Sequence, residues 1–215
     1  MSSWGICLTG GEAPGRDHVA SFLDKSSYCV AADSGLHLAR SYGVVPDMVV
    51  GDMDSLQNAK FLDSFDPKQI VRYAHEKDDT DTEIALKVLR EHEIDRIVLI
   101  GGGGGRLDHL VAILSLFDRA LRPDIWVANE SYVVSVDANV EITDQLGSRI
   151  SFFPVGPGPW VMVSEGLEWP LAGTSWKRGD IGISNRITKT EMKVTLESGR
   201  LVMIGELHTL PGVQI

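Results

Sequence analysis

The hydrophobic pattern of this chain changes once, near residue 128, and that change limits the folds open to it. Up to that point, short apolar runs alternate with segments of helical period. This alternation is typical of a parallel sheet whose strands are joined by crossover helices. The predicted strands are Trp4–Thr9, Tyr28–Ala32, Met48–Val50, Gln69–Tyr73, Arg96–Ile100 and Ile125–Ala128.

Apolar residues at helical spacing lie between these strands and predict the helix faces that pack on the sheet. The first face is Val19, Phe22 and Leu23, the second is Ile84, Val88 and Leu89, and the third is Leu107, Leu110, Val111 and Leu114. We expect all three faces to cover the sheet.

Beyond Asn129 the helical period disappears and short strand-like runs follow one another, separated by turns rich in Gly and Pro. The predicted strands of this half are Tyr132–Val136, Arg149–Phe153, Trp160–Val163, Met192–Leu196 and Leu201–Ile204. This pattern predicts an antiparallel sandwich or barrel. We therefore expect an α/β domain with a mostly parallel sheet and flanking helices over residues 1–128, and an all-β domain over residues 129–215.

Charge and cysteine content exclude several classes of function. A net charge of -10 and a pI near 5.0 argue against nucleic acid or an anionic membrane as the main partner, because a phosphate backbone requires a basic face. The two cysteines, Cys7 and Cys29, lie inside apolar runs, which predicts buried free thiols. With no secretion signal and no long apolar stretch in the sequence, the expected location is the cytoplasm.

Aspartates gather where the predicted strands of the first half end. Asp33 follows the second strand, Asp52 and Asp54 follow the third, and Asp81 ends an acidic segment after the fourth. In open α/β sheets, ligands bind beyond the carboxyl ends of the strands. Two carboxylates about 4 Å apart repel by roughly 4 kcal/mol at an effective dielectric constant near 20. A divalent cation and a phosphorylated substrate would remove this penalty, so the sequence predicts a metal and phosphate site.

Two of these segments also have a local explanation. Asp54 and Ser55 can cap the helix that follows them. Thr80 and Glu83 fit a capping box, and we predict that role for them. Asp81 is assigned to the site, because two further aspartates just before it already supply more negative charge than a cap needs.

Glycines follow two of the predicted strands and are expected to approach an anion. Gly10 and Gly11 follow the first strand, and a run of five glycines, residues 101–105, follows the fifth. Such a run permits close backbone approach and exposes N–H groups, while Arg106 adds a fork-shaped phosphate donor before a helix. The spacing matches neither a Walker loop nor a dinucleotide fingerprint, and the alternative is a flexible turn. Asp108 and His109 open the next helix, where His109 can touch phosphate.

Five motifs, in their order and spacing, resemble the thiamine pyrophosphokinase (thiamine diphosphokinase) family. They are Ala32-Asp33-Ser34-Gly35, Pro46-Asp47, Gly51-Asp52-Met53-Asp54-Ser55, Asp79-Thr80-Asp81, and the glycine run followed by Arg106-Leu107-Asp108-His109. The resemblance implies an α/β nucleotide-binding catalytic domain joined to a β-sandwich that binds the acceptor and mediates dimerisation. It also implies a homodimer with active sites between subunits.

The resemblance further implies ATP-dependent transfer of an intact diphosphate to thiamine, with Mg²⁺, to give thiamine diphosphate and AMP. By resemblance, Asp52, Asp54 and Asp81 are the metal and catalytic carboxylates, and Asp33 is a further acidic position of the site. The implied nucleotide-binding residues are Gly10, Gly11, Gly101, Gly102, Gly103, Gly104, Gly105, Arg106, Asp108 and His109.

The second half carries motifs that look like the thiamine side of the family's site. They are Gly166-Leu167-Glu168-Trp169-Pro170-Leu171 and Ser184-Asn185. The indole of Trp169 can hold a cationic thiazolium or stack on a pyrimidine, and Ser184 and Asn185 offer hydrogen bonds. The alternative for Trp169 is a place in the sandwich core.

Two other functions fit the same residues. One is a diphosphokinase for another small alcohol, such as a hydroxymethyl pterin. The other is a non-catalytic regulator that binds the nucleotide or thiamine, because a cage of carboxylates can hold Mg-ATP passively.

Overall fold

The computed structural model describes residues 3–54, 59–74, 76, 78–172 and 176–214. The chain folds into two compact units. The first is Met1–Ile113 with Leu121–Asn129, and the second is Leu114–Ala120 with Glu130–Ile215. The division into domains at residues 1–128 and 129–215 stays a prediction, and the segment 114–120 groups with the second unit.

The first unit is built on parallel strands. They are β1 (Trp4–Leu8), β2 (Ser26–Ala32), β3 (Met48–Gly51), β4 (Ile70–Arg72), β5 (Arg96–Ile100) and β6 (Ile125–Val127). Their order is β6-β5-β1-β2-β3-β4, and every one of these pairings is parallel. The apolar runs of β1, β2 and β5 are almost wholly buried, as expected for strands covered on both faces. The predicted α/β architecture is confirmed.

Helices connect these strands, and one of them begins as the sequence predicts. The helices are α1 (Arg16–Lys25), α2 (Gly35–Ser41), α3 (Asp81–Glu91) and α4 (Leu107–Leu116), with 3₁₀ helices at Ala59–Ser64 and Pro67–Gln69. At the start of α3 the Glu83 N–H donates to Thr80 Oγ1 at 3.2 Å, and the Thr80 N–H donates to Glu83 Oε2 at 2.9 Å. The predicted capping box is therefore confirmed.

The predicted core face of α4 is wrong. Leu107, Val111 and Leu114 are 73%, 54% and 38% exposed, whereas Ile113 and Leu116 are buried. The helix carries apolar residues around most of its circumference, so the sequence pattern does not distinguish the buried face from the exposed one. The face of α3 that carries Ile84, Val88 and Leu89 is buried as predicted.

The second unit consists of antiparallel strands in two groups, which confirms the predicted all-β half. Their order is β11-β9-β13-β7 in one group and β10-β12-β8-β14 in the other. The strands are β7 (Ser131–Val136), β8 (Asn139–Thr143), β9 (Arg149–Val155), β10 (Val161–Glu165), β11 (Gly182–Arg186), β12 (Glu191–Ser198), β13 (Arg200–Glu206) and β14 (Val213–Gln214), with a 3₁₀ helix at Leu207–Gly212. The sequence pattern did not predict β8, β11 or β14.

Two further predictions concern membrane-spanning helices and the two cysteines. No helix among the described residues is long and apolar enough to cross a membrane. Cys7 and Cys29 are buried free thiols, as predicted, and burial raises the pKa of both, that of Cys29 to about 12.

Candidate active site

Three of the predicted site carboxylates meet in the first unit. Asp33 follows β2, Asp52 follows β3, and Asp81 is the first residue of α3. One carboxylate oxygen from each of them lies within 4.8 Å of the others, and all three residues are half-buried. The convergence expected at the carboxyl ends of parallel strands is thus present.

The loop after β3 bends sharply enough to turn Asp52 toward Asp33. Met53 has φ 65° and Asp33 has φ 46°, a left-handed conformation that is uncommon outside glycine and concentrates at functional sites. At Gly51, φ is 143° and a Cβ would lie 3.1 Å from that of Asp33. Glycine is therefore needed where the two loops approach each other.

Asp81 is held by the start of its helix. The capping box fixes the residue before it, and the hydroxyl of Thr82, the next residue, lies 3.0 Å from that of Thr9 at the end of β1. The side chains of Thr80 and Thr82, on either side of Asp81, therefore fix the start of α3 through their hydrogen bonds. Capping and site membership are compatible roles for this segment.

The chemistry of the three side chains fits a hard divalent cation. At 4.8 Å, each pair of ionised carboxylates repels by roughly 3 kcal/mol at an effective dielectric constant near 20. The donor atoms are all carboxylate oxygens, which Mg²⁺ prefers over nitrogen or sulfur ligands. Asp33, Asp52 and Asp81 can therefore hold such an ion, which would remove the repulsion.

Two other aspartates of this region lie differently. Asp54 is exposed, and its backbone N–H donates to Asp52 Oδ1 at 3.1 Å. Its carboxylate does not belong to the group formed by Asp33, Asp52 and Asp81. Ser55, its predicted partner in a helix cap, lies outside the described residues. Asp79 forms an exposed ion pair with Lys87 at 2.5 Å.

The two glycine loops pair with each other through their backbones. The Gly102 N–H donates to Gly10 O at 2.8 Å, and Glu12 and Gly103 exchange N–H to carbonyl bonds of 2.7 and 2.9 Å. The Gly101 N–H donates to Val127 O at 3.1 Å. The expectation that the run offers its N–H groups to an anion is therefore wrong for these three glycines, whose N–H groups fasten the loops together.

Sequence reasoning missed Glu12 and Asn129 in this loop cluster. Asn129 Nδ2 donates to Glu12 Oε2 at 3.0 Å, and a Cβ on Gly104 would lie 2.3 Å from the Glu12 carboxyl carbon. Both residues follow strand ends, Glu12 after β1 and Asn129 after β6. The aspartates were selected because they follow strand ends. The same criterion, applied to every polar residue after a strand, would also have selected Glu12 and Asn129.

Arg106 and Asp108 form an exposed pair at the start of α4. Arg106 Nε donates to Asp108 Oδ1 at 3.1 Å and its Nη2 donates to Oδ2 at 2.5 Å. The guanidinium lowers the pKa of Asp108 to about 2. His109 is exposed on the same helical turn. This pair uses two of the five guanidinium N–H donors, which leaves three that can bind a phosphate.

The predicted thiamine-side residues lie in the second unit. Trp169 is 55% exposed, which excludes the alternative that it belongs to the sandwich core. Ser184 is also exposed and has φ 59°. Asn185 is only 5% exposed and is hydrogen-bonded to the backbone of Trp169.

Two family models match the chain, one over each half. Residues 19–128 match "Thiamin pyrophosphokinase, catalytic domain" and residues 133–201 match "Thiamin pyrophosphokinase, vitamin B1 binding domain". The chain belongs to the thiamin pyrophosphokinase family. Members of this family are ATP-dependent diphosphotransferases, and they generally use a divalent metal.

Known thiamin pyrophosphokinases are similar to the chain over most of its length. The thiamine pyrophosphokinase of Bacillus subtilis is 25% identical in an alignment that covers 86% of this chain and 90% of that protein. Thiamin pyrophosphokinase 1 of Caenorhabditis elegans is 24% identical in an alignment that covers 93% of this chain and 87% of that protein. The crystal structure of the Bacillus subtilis enzyme has the same fold, with a TM-score of 0.76 at 22% identity, over 94% of this chain and 98% of that one.

These matches bear on the competing functions. Both family models, and the relatives with them, name thiamine, so a pterin acceptor is not favoured. A passive regulator is not favoured either, because the model that covers the carboxylates describes a catalytic domain.

Proposed function

We propose that this chain transfers the diphosphate group of ATP to the hydroxyl of thiamine, giving thiamine diphosphate and AMP. The convergence of Asp33, Asp52 and Asp81 carries the proposal, because it places acidic oxygen ligands in the half of the chain that matches the catalytic family model. The match of the other half to a vitamin B1-binding domain supports thiamine as the acceptor.

In the proposed reaction the hydroxyl oxygen of thiamine attacks the β-phosphorus of ATP. The new bond joins this oxygen to Pβ, the bond between Pβ and the oxygen bridging to Pα breaks, and AMP leaves with that oxygen. The hydroxyl proton passes to one of the site carboxylates. Most of the rate comes from positioning the reactants and neutralising charge.

The site residues have separate tasks in this proposal. Asp33, Asp52 and Asp81 would hold Mg²⁺, and Asp54 is proposed as a fourth ligand from the resemblance. When bound, Mg²⁺ supplies positive charge that offsets the charge of the phosphates. The nucleotide lies against the glycine loops, with Arg106, Asp108 and His109 at the start of α4. Trp169, Ser184 and Asn185 form the thiamine side.

AMP formation tests this function. Purified protein is incubated with ATP and Mg²⁺, with and without thiamine, and the products are identified by mass spectrometry. We expect AMP only with thiamine, together with a thiamine species that gains two phosphates in one step. ADP as the product would contradict diphosphate transfer, and AMP formation with a hydroxymethyl pterin but not with thiamine would reassign the acceptor.

Replacing Arg106 by Ala is expected to raise the KM for ATP by about tenfold, because a charge-assisted bidentate contact to phosphate is lost. The KM for thiamine should change little. Lys25→Ala, which removes an exposed positive charge at the end of α1, is the control and should leave both constants unchanged. An unchanged KM for ATP in Arg106→Ala would remove this residue from the nucleotide site.

The proposal includes a homodimer with active sites between subunits, in the cytoplasm. Leu107, Val111 and Leu114 form an exposed apolar stripe on α4, and such a stripe on a helix is a common feature of subunit interfaces. In the cytoplasm, the free thiols of Cys7 and Cys29 would stay reduced.

Val111→Asp is expected to weaken self-association by about 30-fold or more, because an unpaired charge would be buried in the interface. Sedimentation across a range of protein concentrations measures the effect. Val45→Asp is the matched control, since Val45 is 78% exposed and lies apart from the stripe in sequence. A monomeric wild-type protein, or a Val111→Asp variant that associates normally, would contradict an interface on this face of α4.

A further inference from the structure

A buried side-chain amide holds the backbone of an exposed tryptophan in the second unit. The Trp169 N–H donates to Asn185 Oδ1 at 3.1 Å, and Asn185 Nδ2 donates to Trp169 O at 2.7 Å. Asn185 is 5% exposed, whereas Trp169 is 55% exposed. One amide therefore satisfies both backbone groups of Trp169 and leaves the indole facing solvent.

The fold directs Asn185 inward through an irregularity in β11. The pairing of β11 with β9 shifts register between Gly182 and Asn185, and Ser184 between them has φ 59°. Ser184 keeps its place because its N–H donates to Ser151 Oγ at 3.1 Å. Such a bulge re-aims the side chain that follows it, and strained backbone of this kind concentrates at functional sites.

The amide lies next to a short antiparallel backbone ladder. The Thr188 N–H donates to Gly166 O at 2.8 Å, and the Glu168 N–H donates to Arg186 O at 2.9 Å. At Trp169, the residue after this ladder, the primary amide of Asn185 bonds both the backbone N–H and the backbone carbonyl. The main chain of Trp169 is therefore fixed by a side chain rather than by a strand.

The hydrogen bonds of Asn185 leave it little capacity for a ligand. Its Oδ1 accepts from the Trp169 N–H and also from the Arg186 N–H at 2.9 Å, so both lone pairs are used. The reverse orientation of the amide would set its NH₂ group against two N–H donors, so the network fixes the assignment. Only one N–H of the amide is left over, on a side chain that is almost wholly buried.

The chain beyond Trp169 is anchored as well. Leu171 is 4% exposed, and its N–H donates to Ser164 Oγ at 2.9 Å. Pro170, between the two anchored residues, has a fixed φ. An indole on such a backbone loses little conformational entropy when a ring stacks on it, which is the advantage of a preorganised binding surface.

We propose that Asn185 is a positioning residue that holds Trp169 ready for a ring of thiamine, rather than a direct ligand of thiamine. This inference rests on the proposed function, since it takes thiamine as the molecule that Trp169 contacts. It assigns to Asn185 a role different from the direct hydrogen bond that the sequence predicts.

A double-mutant cycle tests the proposal with wild type, Asn185→Ala, Trp169→Ala and the double variant. We expect Asn185→Ala to raise the KM for thiamine by about tenfold, with the KM for ATP within about twofold of wild type. Because Asn185 acts through Trp169, adding Asn185→Ala to Trp169→Ala should change the KM for thiamine by less than about twofold. Asn139→Ala, an exposed asparagine at the start of β8, is the control and should match wild type.

Asn185→Asp keeps the shape and the Oδ1 acceptor but sets an oxygen against Trp169 O, so it should also raise the KM for thiamine selectively. It replaces Asn185→Ala in the cycle should that variant not fold. Additive effects of the two substitutions would overturn the proposal in favour of independent contacts with thiamine. Equal rises in the KM for thiamine and the KM for ATP would indicate structural damage and also overturn it. A wild-type protein without thiamine-dependent AMP formation would overturn the proposed function, and this inference with it.

Discussion

Asp52→Asn is expected to lower kcat by roughly a thousandfold while leaving the fold intact, because charge stabilisation at the reacting phosphates supplies most of the rate enhancement in this kind of catalysis. Asp52 offers an oxygen within 4.8 Å of oxygens of Asp33 and Asp81, so its charge is part of the set that would hold Mg²⁺. The amide keeps the size of the side chain and removes the charge. Steady-state kinetics with ATP and thiamine, followed by AMP formation, measure the loss.

The same substitution should not destabilise the protein without metal. Each pair of these carboxylates repels by roughly 3 kcal/mol at an effective dielectric constant near 20, and removing one charge relieves two such pairs. Residues that serve function often make the folded protein less stable, here through repulsion between carboxylates. We therefore expect the Tm of Asp52→Asn without Mg²⁺ to equal or exceed that of wild type, and the rise in Tm on adding Mg²⁺ to be smaller in the variant.

Asp79→Asn is the matched control, because Asp79 lies near Asp81 in the chain but forms an exposed pair with Lys87. It should keep wild-type kcat and a wild-type response of the Tm to Mg²⁺. Asp54→Asn tests the remaining proposed metal ligand, whose backbone donates to Asp52 Oδ1. A folded Asp52→Asn with normal kcat would contradict the proposed site, and a normal kcat in Asp54→Asn would remove Asp54 from it.

The features predicted correctly from the sequence depend on neighbouring residues or on the general rule that ligands bind at the carboxyl ends of parallel strands. The apolar runs predicted all six parallel strands within two residues at each end, since buried strands carry continuous apolar runs. The capping box of Thr80 and Glu83 is a local exchange of hydrogen bonds. Asp33, Asp52 and Asp81 were found because parallel strands bring their carboxyl ends to one edge.

The features that the sequence did not predict depend on contacts between distant segments. The backbone hydrogen bonds between Gly103 and Glu12 join loops that are 91 positions apart in the sequence. They use N–H groups that the glycine-rich sequence had suggested were available to an anion. The buried face of α4 depends on what packs against it, because apolar residues surround most of the helix. The inward turn of Asn185 follows from a bulge in β11, a strand too short and too exposed to show a clear period.

Gly35→Ala is expected to destabilise the protein by about 3 kcal/mol or more, because there is no room for a methyl group. A Cβ at this position would lie 2.1 Å from Leu8 O and 2.9 Å from Thr9 Cα, both backbone atoms of the strand-end segment of β1. Helix α2 cannot move away at little cost, since its residues Leu36 and Ala39 are 1% and 0% exposed. Alanine favours a helix over glycine by about 1 kcal/mol. A loss of stability in Gly35→Ala would therefore show that the steric clash outweighs the gain in helix propensity.

Gly15→Ala separates this steric effect from any general effect of alanine. Gly15 precedes α1 with φ -61°, and the nearest atom to a Cβ there is His18 Nδ1 at 3.8 Å, so the expected change is within about 1 kcal/mol. Urea unfolding of both variants measures the difference.

Because Gly35 lies two residues after Asp33, folded Gly35→Ala should also show a weaker rise in Tm with Mg²⁺, as a displaced α2 moves the Asp33 carboxylate. Equal stability of the two variants would mean that α2 moves away from Leu8 at little cost, and would contradict a rigid connection between this helix and the carboxylate site.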